Sequence, residues 1–101
     1  MRYTPTPVRR ALRELGTNIR NQRKLLGLTA GMVAERAGIS APTLTKLETG
    51  GGAGLDVTFS VLRVLGMLDA VVDASDPYET PVGRLRAGEH LPQRVRVPRD
   101  S

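Results

Sequence analysis

The sequence predicts an all-α fold of five short helices with an extended C-terminal tail. Three observations carry this. Apolar residues Val8, Leu12, Leu15, Ile19 and Leu26 recur at steps of 4, 3, 4 and 7, one helical stripe. Strand-like alternation of β-branched and polar residues is nearly absent. Small capping residues and glycines stand where helices would begin and end.

The elements follow in order. Thr6-Pro7 opens helix one, with Thr as cap and Pro in the first turn. Gly16 weakens that helix by about 1 kcal/mol relative to Ala, so a break is allowed there. Gly27 ends it, with Arg23 and Lys24 near its negative end. Thr29 caps helix two, over 30–37, which buries Val33, Ala34 and Ala37. Gly38 suits the left-handed residue that closes it, and Ile39 plugs the core from the turn. Ser40 caps helix three, over 41–49, where Pro42 falls in the first turn and Leu44 and Leu47 face inward. Asp56 caps helix four, over 57–65, burying Phe59, Leu62 and Leu65 with Leu55 at its entrance. Gly66 ends it, and Met67, Leu68, Val71 and Val72 mark a fifth helix stopped by Asp76-Pro77. These helices form a domain over 1–76. Residues 77–101 hold four prolines and scattered apolar residues, and read as an extended or disordered basic tail.

The chain has 101 residues and is 40% hydrophobic but only 3% aromatic, so the core must be aliphatic. There is no cysteine, hence no disulfide frame or thiolate metal site. No apolar run reaches the roughly 18 residues of a membrane span, and no apolar stretch follows the basic start. The expectation is a soluble cytoplasmic protein. The net charge of +5 is uneven. Residues 1–50 carry nine Lys or Arg against three Glu, whereas residues 51–75 carry one Arg against three Asp. A basic front half points to a polyanionic partner.

Residues 27–50, GLTAGMVAERAGISAPTLTKLETG, resemble the Cro/repressor-type (XRE-like) helix-turn-helix family. The matching positions are Gly27-Leu28-Thr29, Ala34, Gly38-Ile39-Ser40, Leu44 and Leu47-Glu48. IRNQRK (19–24) and LDVTFSVLRVLG (55–66) extend the likeness over residues 15–66. The resemblance implies a compact five-helix, lambda-repressor-like domain whose third helix enters the major groove of double-stranded DNA, N-terminal end leading. Carried onto this chain, Ala41, Pro42, Thr45 and Lys46 fall where bases are read. Lys46 can donate to guanine O6 and N7, and the apolar groups of Ala41 and Pro42 can meet a thymine methyl. Thr29, Ser40 and Thr43 are placed for phosphate, with Arg20, Arg23 and Lys24 adding charge. Two departures thin the readout. Ala30 stands where the family usually grips a phosphate with Gln, and Ala41 and Pro42 stand where polar side chains are usual.

Family members commonly act as two-fold dimers on palindromic sites, half-sites about one helical turn apart. Val61, Val64, Met67, Leu68, Val71 and Val72 are the spare apolar surface for such a homodimer. The layout also resembles HipB-type antitoxins, small repressors that bind a HipA-like toxin. The tail, with Leu85, Leu91 and Val95 among Arg84, Arg86, Arg94 and Arg96, suits docking on an acidic partner surface, or alternatively a basic arm lying along DNA. The expected function is a sequence-specific transcriptional regulator, a repressor, with an antitoxin role nested inside it. The alternative is a protein-interaction module whose helix-turn-helix no longer reads DNA. No catalytic set is apparent, and neither cofactor nor metal is expected: the single His90 lies in the tail, and Asp69, Asp73 and Asp76 lack further ligands.

Overall fold

The structure is a computed structural model that describes residues 3–90. Its helices are α1 (Thr6–Leu25), α2 (Ala30–Ala37), α3 (Ala41–Glu48), α4 (Leu55–Val64), α5 (Leu68–Ala74) and α6 (Pro81–His90), with a 3-10 turn at Pro77–Glu79. Among the described residues there is no strand. The chain divides into two units at Asp69–Ala70, within α5.

In the first unit the core is aliphatic, as the composition requires. Ile19, Val33, Leu44, Val61, Leu62 and Leu65 are all fully buried, joined by Ala34 and Leu47. Burying each of the Val, Leu and Ile side chains favours folding by about 1.5–3 kcal/mol before entropy is counted. Four elements thus meet on one seam: α1 through Ile19, α2 through Val33, α3 through Leu44, and α4 through Val61 and Leu62. Val61, expected at a dimer contact, belongs to this core and is unavailable outside it. The buried face of α4 runs through Thr58, Val61 and Leu62, and leaves Phe59 half-buried. Thr58 is tolerated inside because its hydroxyl donates to the Gly54 carbonyl at 3.0 Å.

Val8, Leu26 and Leu55 depart from the expected core, at 48%, 49% and 67% exposure. Val8 and Leu26 carry the correct helical spacing but stand at the two ends of α1. That helix has 20 residues, whereas α2 and α3 have 8 each, so its ends overhang the elements it covers. Two helix starts also shift. Thr6 is the first residue of α1 rather than its cap, with Pro5 at the cap position. Asp56 lies in the first turn of α4, which begins after Gly54, and there its charge still suits the positive helix end.

Gly16 does not break α1. It is buried where α1 crosses α3, and a Cβ there would lie 2.5 Å from the Leu47 carbonyl oxygen and 2.7 Å from that of Glu48. The glycine allows backbone to approach backbone, which explains its place in mid-helix.

In the second unit, residues 81–90 are helical where extended chain was expected. Thr80 accepts a hydrogen bond from the Gly83 N–H at 2.9 Å, and Pro81 takes the first helical position. Asp76 similarly accepts from the Tyr78 N–H at 2.9 Å and starts the 3-10 turn. Four prolines argue for extended chain by composition, but Pro81 is one that begins a helix.

Candidate nucleic-acid interface

Helix α2 at both ends, and the start of helix α3, are held by local chemistry. Thr29 caps α2 by accepting from the Met32 N–H at 3.1 Å. Gly38 closes α2 in the left-handed region, φ 71°, a conformation that costs other residues roughly 1–2 kcal/mol. The chain then turns through Ile39 to Ser40, whose hydroxyl accepts from the Thr43 N–H at 3.2 Å and pairs with the Thr43 hydroxyl at 2.8 Å. Pro42 sits in the first turn of α3, where its missing N–H has no helical partner to lose.

Beneath, Leu44 and Leu47 fasten α3 to the core. Outside, Ala41, Pro42, Thr45 and Lys46 are all exposed. The stem of Lys46 lies along Gly51, close enough that a Cβ there would meet Lys46 Cγ at 2.6 Å. A shallow depression beside this face is lined by Arg20, Arg23, Ala30, Thr45, Glu48 and Thr49. Helix α1, the start of α2 and α3 therefore converge on one surface.

Of the expected phosphate ligands, Arg20, Lys24 and Thr29 are exposed, Ser40 is exposed, and Thr43 is half-buried. Arg23 departs from that expectation. Its Nε donates to Glu48 Oε2 at 2.8 Å, its Nη2 to Glu48 Oε1 at 3.0 Å, and its Nη1 to the Leu28 carbonyl at 3.2 Å. Hydrogen bonding to Glu48 raises the guanidinium pKa further above its ordinary value, against the effect of burial. Arg23 is thereby a strut between α1, the following loop and α3. Sequence reading left Glu48 without a role, because its partner lies 25 positions away. Gln22 was also silent in the sequence: its Nε2 donates to the Leu65 carbonyl at 3.1 Å, satisfying the C-terminal end of α4 from α1.

The other expected residues scatter. Val64, Met67, Leu68 and Val71 are half-buried, and Val72 is exposed. Arg84 pairs with Glu79 at 3.5 Å and donates to the Tyr78 carbonyl, while Leu85 and Arg86 are exposed. Leu91, Arg94, Val95 and Arg96 lie outside the described residues. Among the described residues no cluster fit to hold a metal ion is found, and no helix is long and apolar enough to cross a membrane.

A capped, two-helix turn with its second helix exposed along one face is the construction of a DNA-binding helix-turn-helix domain. Residues 14–74 match the family described as a helix-turn-helix domain, more than half of the chain, and the protein belongs to that family. No curated protein and no solved structure matches it.

Proposed function

We propose that the protein is a sequence-specific transcriptional regulator, a repressor that inserts α3 into the major groove of double-stranded DNA. The observation that carries this reading is the division of α3 into two faces. Leu44 and Leu47 are buried, while Ala41, Pro42, Thr45 and Lys46 are exposed together above them. In this reading those four residues meet bases. Arg20, Lys24, Thr29, Ser40 and Thr43 meet phosphates, and Arg23 supports them from behind. Direct readout is thin, since two of the four base-facing residues have no polar side chain. Affinity then rests on phosphate contacts and on pairing two copies, in the cytoplasm, across a palindromic site. Within the first unit, the part-exposed apolar residues Val64, Met67 and Leu68 favour a homodimer.

An antitoxin role is the second reading, and the observation that favours it is on α6. Val82 and Leu85 are 62% and 78% exposed, with Arg86 beside them, a ridge suited to an acidic partner protein. If that is the sole task, the helix-turn-helix is only a scaffold. The deciding experiment is selection of genomic fragments on the purified full chain, followed by binding to the enriched sequence and to random duplex. Enrichment of one palindromic motif is expected. Equal affinity for both duplexes defeats the regulator reading.

A further inference from the structure

The family match begins at residue 14, yet α1 begins at Thr6, so two helical turns precede it. Those turns carry Arg9, Arg10 and Arg13. At about 100° per residue, Arg9, Arg10, Arg13, Arg20 and Lys24 fall within one arc of about 100° on α1. All five are exposed, and none is in an ion pair among the described residues. Glu14, the one acid on α1, lies outside that arc.

Two members of the arc, Arg13 and Arg20, border α3 or the loop after it. Arg13 abuts the loop that leaves α3, since a Cβ on Gly50 would sit 2.7 Å from Arg13 Cγ and 3.0 Å from its Cα. Arg20 lines the same depression as Thr45 and Thr49. From Arg9 to Lys24 the helix rises about 22 Å, the axial length of about six base pairs. The first turn of α1 also holds no acid. Positive side chains near a positive helix end oppose the helix dipole, so Arg9 and Arg10 gain α1 nothing from that source, and the one local bond is a long one from Arg9 Nη2 to Thr6 Oγ1 at 3.5 Å. The same end attracts phosphate.

We propose that α1 is a phosphate track, and that Arg9, Arg10 and Arg13 carry the footprint along the duplex backbone beyond the helix-turn-helix itself. This rests on the reading that α3 enters the groove. The contacts are with backbone charge, so they strengthen binding to any sequence alike.

The test compares the full chain with the triple variant Arg9→Gln, Arg10→Gln, Arg13→Gln on a random-sequence duplex over a sodium chloride series. The slope of log affinity against log salt should shallow by about 2–3 units, since each lost phosphate contact removes about 0.9. Replacing all three by Lys should keep the slope. A control off α1 but in the same unit, Arg63→Gln, should leave it unchanged. A slope retained by the triple Gln variant, or lost equally per charge in the Arg63→Gln control, overturns the track while leaving DNA binding intact. Failure of the unaltered chain to bind any duplex overturns both. The triple Gln variant should melt no lower than the unaltered chain; a lower melting point would assign the arginines to folding instead, and also overturns the proposal.

Discussion

Arg23 and Glu48 face each other across the α1–α3 contact with two parallel hydrogen bonds, 2.8 and 3.0 Å long. Their side chains are only 12% and 7% exposed. Fork geometry and shielding from water both strengthen such a pair. Removing one partner leaves a charge largely out of water, which is costlier than losing the bond itself. Glu48→Ala should therefore destabilise the fold by about 2–4 kcal/mol, between the values for exposed and fully buried pairs. Urea unfolding followed by circular dichroism measures this. A loss under about 0.5 kcal/mol, as for an ordinary surface pair, would show that the strut carries no strain.

Gly16→Ala offers a contest between local and tertiary preference. Helix propensity alone favours Ala by about 1 kcal/mol. The added methyl would meet the Leu47 and Glu48 carbonyl oxygens at 2.5 and 2.7 Å, so α1 and α3 must move apart. Overpacking of this kind costs about 1–3 kcal/mol. The expected outcome is a lower melting temperature and weaker DNA binding; a rise in melting temperature contradicts the close approach.

Ser40→Ala removes the cap that receives the Thr43 N–H and the pairing of the two hydroxyls. The loss expected is about 1 kcal/mol, the usual size for an N-cap. Ser40→Asp keeps an acceptor and should restore most of the stability, yet it places negative charge beside the proposed phosphate path. Stability recovered while DNA binding falls is the result that separates the two roles.

Lys46→Ala tests base reading. If its amine meets guanine, affinity for the selected site should fall by about 1–3 kcal/mol with a smaller loss on random duplex. Equal losses on both would assign Lys46 to the backbone. Its stem already lies along Gly51, so Gly51→Ala should displace it and reproduce the change in part.

The helix-turn-helix was legible in the sequence because its signals are local. Thr29, Gly38 and Ser40 each act within three or four residues, and α2 starts and stops where they place it. The turn chemistry of Thr80-Pro81 was equally local, but the surrounding prolines outweighed it. What stayed hidden is non-local. Neither the Arg23–Glu48 pair nor the Gln22–Leu65 bond has a periodic trace, with partners 25 and 43 positions apart. Apolar spacing likewise does not say which residues find a neighbour. Val8 and Leu26 share the stripe of Ile19 but overhang the core, and Val61 was read as surface although α4 turns it inward.

The near-contact of main chains at Gly16 leaves no room for α3 to come closer to α1 and couples the two helices. If α3 enters a groove as proposed, fitting a wider or narrower one falls largely to the nucleic acid, through bending or twisting of the target, and easily deformed base steps should be favoured at positions that no side chain reaches.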